Sequence, residues 1–167
     1  MERVFRPDAI GALMDEYERV ALELKNLLST ISQEEFIKIF DPYTRDEDCR
    51  SIQSIMKHVV NAGYRYADQI CDFLKKPIVN HSYHVYNVVH AIDELENFIF
   101  FTAEVVKENL KMTDEEISAT KKETYWGIYN IEMMFEHAIV HILRHRRQIE
   151  KFMASQKWNR ANYFNNF

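Results

Sequence analysis

Glycine and proline are scarce in this chain, with three of each in 167 residues: Gly11, Gly63 and Gly127, and Pro7, Pro42 and Pro77. So few turn formers argue against an all-β protein and for long helices. Cysteine is rarer still. Cys49 and Cys71 form neither a CxxC pair nor a zinc-cluster spacing, so both read as buried or half-buried thiols in a reducing compartment. Positive charge is in deficit, with 21 Lys and Arg against 26 Asp and Glu and a formal charge of −5. That balance offers no footprint for phosphate backbones or anionic lipid, which excludes nucleic acid and membrane surfaces as expected partners. Long apolar runs are missing too. The opening MERVFRPDAIGALMDEYERV carries charge throughout, unlike a signal peptide, and FIFF at Phe98 to Phe101 is soon followed by Glu104, well short of the ~18 apolar residues of a membrane span. The cytoplasm is the expected location.

What is present is helical periodicity. Ile10, Leu13, Met14, Tyr17, Val20, Ala21, Leu24, Leu27, Leu28 and Ile31 recur at steps of three and four with charged residues between them, which predicts a first long helix entered after Pro7. Ser32 with Glu35 reads as the capping box of a short connecting helix, closed by Asp41-Pro42. A second long segment runs over about 49–74 on Ile52, Ile55, Val59, Ala62, Tyr66, Ile70 and Phe73, and Lys75-Lys76-Pro77 ends it. A third covers roughly 83–110 on Val85, Val88, Val89, Ile92, Leu95, Ile99, Ala103 and Val106. The polar stretch KMTDEEISATKKET then makes a long connection, in which Thr113 and Glu116 form another capping box. A fourth segment spans about 130–155. Lengths of roughly 23 to 28 residues suit side-by-side packing, so the expectation is an all-α, single-domain protein over 1–167, a four-helix bundle with a long connection between helices three and four. The tail WNRANYFNNF is expected to dock on the bundle or fray.

Seven histidines carry the chemical signal. At about 100° per residue, His137, His141 and His145 form one ridge on the fourth segment, but eight residues is roughly 12 Å along the axis, so all three cannot hold one ion. Ile131, Phe135, Ala138, Ile142 and Ile149 set the apolar direction nearest His145, then His141, then His137. The inward pair is therefore His141 with His145, at the i, i+4 spacing that suits two imidazoles on one metal. His58, three residues after Ile55 and four before Ala62, is aimed inward at mid-length of the second helix as a third ligand. Three neutral imidazoles with an open position make a catalytic-type centre for zinc, nickel or another imidazole-preferring divalent ion. His81 and His84 fall in the loop NHSYHVY as exposed or capping rings, and His90 is expected at the core edge, bonded to a neighbour. HExxH is absent, which removes the usual argument for a zinc protease.

The histidine of SIQSIMKHVV, together with His137-AIV-His141-ILR-His145-Arg146-Arg147-Gln148-Ile149, resembles the DinB-like family of metal-binding four-helix bundles, over nearly the whole chain. Arg147 departs from the commoner HRGQ pattern. The resemblance implies a divalent-metal site on His58, His141 and His145 and a tendency to form homodimers. It also implies kinship with transferases and isomerases that use low-molecular-weight thiols, in which the metal stabilises the thiolate. Two functions follow as expectations. One is a metal-dependent thiol transferase or hydrolase acting on a small molecule, with Tyr64, Tyr66 and His137 around the metal and Glu136 turned away. The other is a non-catalytic, metal-binding or structural dimeric bundle.

Overall fold

The computed structural model describes residues 5–164, with side chains up to Ser155. The proposed docking of the tail side chains lies outside the described residues. Four long helices dominate: α1 (Asp8–Leu28), α3 (Ile52–Phe73), α4 (Val88–Val106) and α6 (Ile131–Phe164), with the short α2 (Gln33–Ile37) and α5 (Asp114–Ala119) in the connections. α1 and α3 each pack against both α4 and α6. Between them lies one continuous apolar cluster, with Tyr17, Phe98, Phe135, Met14, Leu24 and Ile70 among its fully buried members. Among the described residues, no helix is long and apolar enough to cross a membrane.

Local sequence explains the boundaries. The predicted capping boxes of Ser32 with Glu35 and Thr113 with Glu116 both form. α2 nevertheless stops at Ile37, before Asp41-Pro42, because Phe40 and Asp41 turn their amides to the Arg50 carbonyl and Ile39 bridges to Ser51. α3 begins at Ile52 rather than near Cys49. A capping box of Ser51 with Ser54 starts it, and a separate 3-10 turn covers Glu47–Cys49. Lys75, in the left-handed region at φ 56°, ends it. α4 is shorter than expected, starting where Asn87 accepts from the His90 amide at 2.8 Å. That start leaves Val85 buried in the preceding loop, exposes Val89 and puts Phe98 in the core. The Phe98 ring lies where a Cβ on Gly63 would be only 2.7 Å away, so α3 and α4 meet closely through a glycine.

The long connection departs from an all-helical expectation. Lys122–Thr124 (β1) and Gly127–Tyr129 (β2) pair antiparallel, with Thr124 opposite Gly127, around a turn at Tyr125 and Trp126. Gly127 sits at φ +118°, a conformation that disfavours side chains, and the Thr124 hydroxyl donates to its carbonyl at 2.8 Å. Lys122 pairs with Asp72 of α3, and Arg65 of α3 lies over the Tyr125 and Trp126 rings at 4.8 and 5.3 Å. The hairpin is thereby fastened over the C-terminal half of α3. α6 continues well past the expected end at 155, since no glycine or proline interrupts it.

Candidate metal centre

α6 carries His141 and His145 one turn apart, and α3 brings His58 across to them. One ring nitrogen from each lies within 4.8 Å of the others. The closest pair is His58 Nε2 and His141 Nε2, at 2.9 Å. The rings are 4.9 Å (His58 to His141), 5.0 Å (His58 to His145) and 4.4 Å (His141 to His145) apart, centroid to centroid. Tetrahedral ligation with bonds of ~2.0–2.1 Å sets ligand nitrogens ~3.3 Å apart, so closing around an ion needs ring adjustments of about an ångström or less. As predicted, His145 is the most buried of the three histidines on α6. His145 is 3% exposed, while His141 and His137 are half-buried. His58 lies in the second turn of α3 rather than at mid-length, because the Ser51 cap starts the helix at Ile52, and its side chain is 34% exposed. The site therefore sits near one end of α3, open toward solvent on the His58 side.

Two further side chains orient the rings. Asp48 Oδ2 faces His58 Nδ1 at 3.2 Å, and Gln148 Oε1 faces His145 Nδ1 at 3.2 Å. An acceptor at Nδ1 holds the proton there and leaves the Nε2 lone pair free for a cation, the usual outer arrangement of metal-binding histidines. The Gln148 oxygen also lies 3.7 Å from the Cys49 thiol, whose other partner is Asp46 at 3.2 Å; burial raises the pKa of this half-buried thiol. Burial, reinforced by the neighbouring histidines, lowers His141 to about 3. Burial and then the charge of His58 lower His145 to about 4. Both are neutral near pH 7, the state that binds metal.

Around the triad is an aromatic wall of which the sequence pointed only to Tyr66 and His137. The Tyr66 ring meets His141 edge-on at 5.5 Å and His137 at 5.3 Å, and Trp126 of the hairpin packs on both Tyr66 and His137. Burial pushes the Tyr66 phenol up to about 12, so it is no base at neutral pH. Tyr129 Oη lies 3.0 Å from His137 Nδ1. Tyr64 belongs elsewhere: it stacks on His81 at 4.3 Å and donates to Glu94 at 2.9 Å. His81 is not a solvent-exposed loop residue, because Asp68 accepts at 3.0 Å and its side chain is 14% exposed. His84 is exposed, and His90 sits half-buried at the core edge, its Nδ1 without a hydrogen-bond partner among the described residues. Glu136 is exposed, as its place on the helix requires.

Two clefts flank the triad. One, of about 370 Å³, is lined by His137 and His141 together with Tyr129 and Arg144. The other, of about 310 Å³, is lined by His58 with Asp48, Lys57 and Tyr83. Sequence reasoning missed Asp48, Gln148, Trp126 and Tyr129. Gln148 alone left a signal, since it follows His145 by three residues and shares its helix face. Comparison of the chain with protein-family models, with curated proteins and with solved structures finds no match.

Proposed function

We propose that His58, His141 and His145 hold one divalent cation, zinc or nickel, in a four-helix bundle of the DinB-like kind, and that the centre serves a thiol transferase or hydrolase acting on a small molecule. The observation that carries this reading is the convergence of three imidazoles from two helices, two with an acceptor already at Nδ1. The donor set fits an imidazole-preferring ion and leaves a position for a further ligand. A cation held there would lower the pKa of a bound water or a low-molecular-weight thiol toward neutrality. The protein supplies neutral imidazoles, fixed tautomers and an aromatic wall that limits water on the Tyr66 side.

The homodimer belongs to the same reading. Leu22 and Phe100, 55% and 69% exposed, border a groove between α1 and α4 with Arg6 and Lys25 on one wall and Glu96 and Glu104 on the other. Arg6 and Lys25 are already paired within the chain, with Asp15 and Glu18 and with Glu96, so a second copy would meet the apolar Leu22 and Phe100 surface rather than free charge. Sedimentation equilibrium showing a monomer at micromolar concentration would remove that element.

A non-catalytic metal site is the second reading, favoured by the shortage of a free base. Asp48 is engaged with His58, and Glu136 faces outward. Metal analysis of tag-free protein, followed by assays with L-cysteine plus an aryl halide and with p-nitrophenyl acetate, separates the two. Near one metal per chain with turnover abolished in His145→Ala supports the enzyme; one metal per chain without turnover supports the second reading. Stoichiometry well below one across varied metal supply overturns both.

A further inference from the structure

The cleft beside His141 combines features that the metal centre itself does not use. Arg144 follows His141 by three residues, lines this cleft and is exposed. Among the described residues it forms no ion pair and no hydrogen bond, although Arg6, Arg19, Arg50, Arg146 and Arg147 all pair with carboxylates. His137, one turn before His141, lines the same cleft with Nδ1 occupied by the Tyr129 hydroxyl. When that hydroxyl donates, the imidazole proton sits on Nε2, which has no protein partner among the described residues.

We propose that this cleft binds the carboxylate of a small organic acid, with Arg144 and His137 as the recognising groups. The inference rests on the metal reading above and assigns the class of ligand that approaches it. A guanidinium fork matches a carboxylate with two parallel hydrogen bonds, and a fixed imidazole N–H adds a third donor. Glu136 on the same cleft wall repels any anion, and a phosphate dianion about twice as strongly as a carboxylate monoanion, which favours the monoanion of the two. Met133 and Val140, 37% and 60% exposed, give the cleft an apolar side suited to a short hydrocarbon body. The ligand class is thus a compact carboxylic acid whose second functional group reaches the metal position.

The test uses the full chain loaded with cobalt(II) and two thiols, mercaptoacetate and 2-mercaptoethanol, followed by cobalt absorption and the sulfur-to-cobalt charge-transfer band. Because charge-assisted hydrogen bonds are discounted at an exposed arginine, mercaptoacetate is expected to bind about tenfold more tightly than 2-mercaptoethanol. Arg144→Gln should cut that ratio to about threefold or less and leave 2-mercaptoethanol unchanged, with Arg144→Lys in between because it keeps the charge and loses the fork. His137→Phe should also reduce the ratio. Arg144 is exposed and unpaired, so its variants should fold, as circular dichroism will register. Inorganic phosphate binding as tightly as mercaptoacetate would overturn the carboxylate assignment. Cobalt bound without a preference between the thiols, or a preference unchanged in Arg144→Gln, overturns this inference alone. Failure of cobalt to bind overturns the metal centre and this inference with it.

Discussion

Replacing His145 by leucine separates a metal ligand from a buried polar filler. His145 is 3% exposed and, among the described residues, hydrogen-bonded only to Gln148, so in metal-free protein at pH 7 the change exchanges one neutral polar contact for apolar packing of similar volume. The expected effect on stability is within about 1 kcal/mol of zero. The sign at lower pH follows from linkage. A histidine held at about 4 when folded and near 6.5 when unfolded gives stability that is full above the unfolded value and is lost as pH falls toward the folded one. From pH 7 to pH 5 this single group costs the wild type roughly 2 kcal/mol, and the leucine variant is spared that loss. Zinc at a hundred times its dissociation constant adds about 2.7 kcal/mol to the wild type, or a rise of roughly 5–11 °C for a chain of this size. With affinity weakened a hundredfold by loss of a ligand, the same zinc adds only about 0.4 kcal/mol, near 1 °C. Thermal melts by circular dichroism, with EDTA or zinc at both pH values, read all of this. A zinc increment that survives in His145→Leu would refute the reasoning, as would a metal-free variant less stable than wild type by 3 kcal/mol or more at both pH values.

Other perturbations test what surrounds the triad. Asp48→Ala should weaken zinc by about tenfold, the low end for an outer partner because Asp48 is 61% exposed, measured by competition with a chromogenic chelator. Ser51→Ala removes the cap that sets the start of α3 and should cost about 1 kcal/mol in urea denaturation, with a smaller loss of zinc affinity as His58 loosens. Gly63→Ala places a methyl group 2.7 Å from the Phe98 ring and should cost roughly 1–3 kcal/mol by the same method, with a neutral result showing that α3 and α4 yield easily.

The helical part of this protein is legible because burial writes a 3.6-residue period into α1, α3 and α6, and the buried faces fall on the residues that pattern picks out. Errors gather where the period is interrupted. Val85 is apolar and buried, so it looked like helix although it lies in a loop, and the three-residue strands of the hairpin are too short to show alternation. The histidines came together by the same logic. Two of them sit one turn apart near the apolar direction of α6, and the third points inward from α3. Asp48, Trp126 and Tyr129 could not be foreseen. Asp48 reaches His58 from a 3-10 turn, and the hairpin carries the other two over α3, contacts set by tertiary packing rather than by any local period.

Anomalous diffraction from crystals grown with zinc, recorded at the zinc absorption edge, tests the central claim most directly. The account predicts one strong peak per chain at ~2.0–2.1 Å from a ring nitrogen of each of His58, His141 and His145. No peak at that point, or zinc found only on surface side chains, would contradict it.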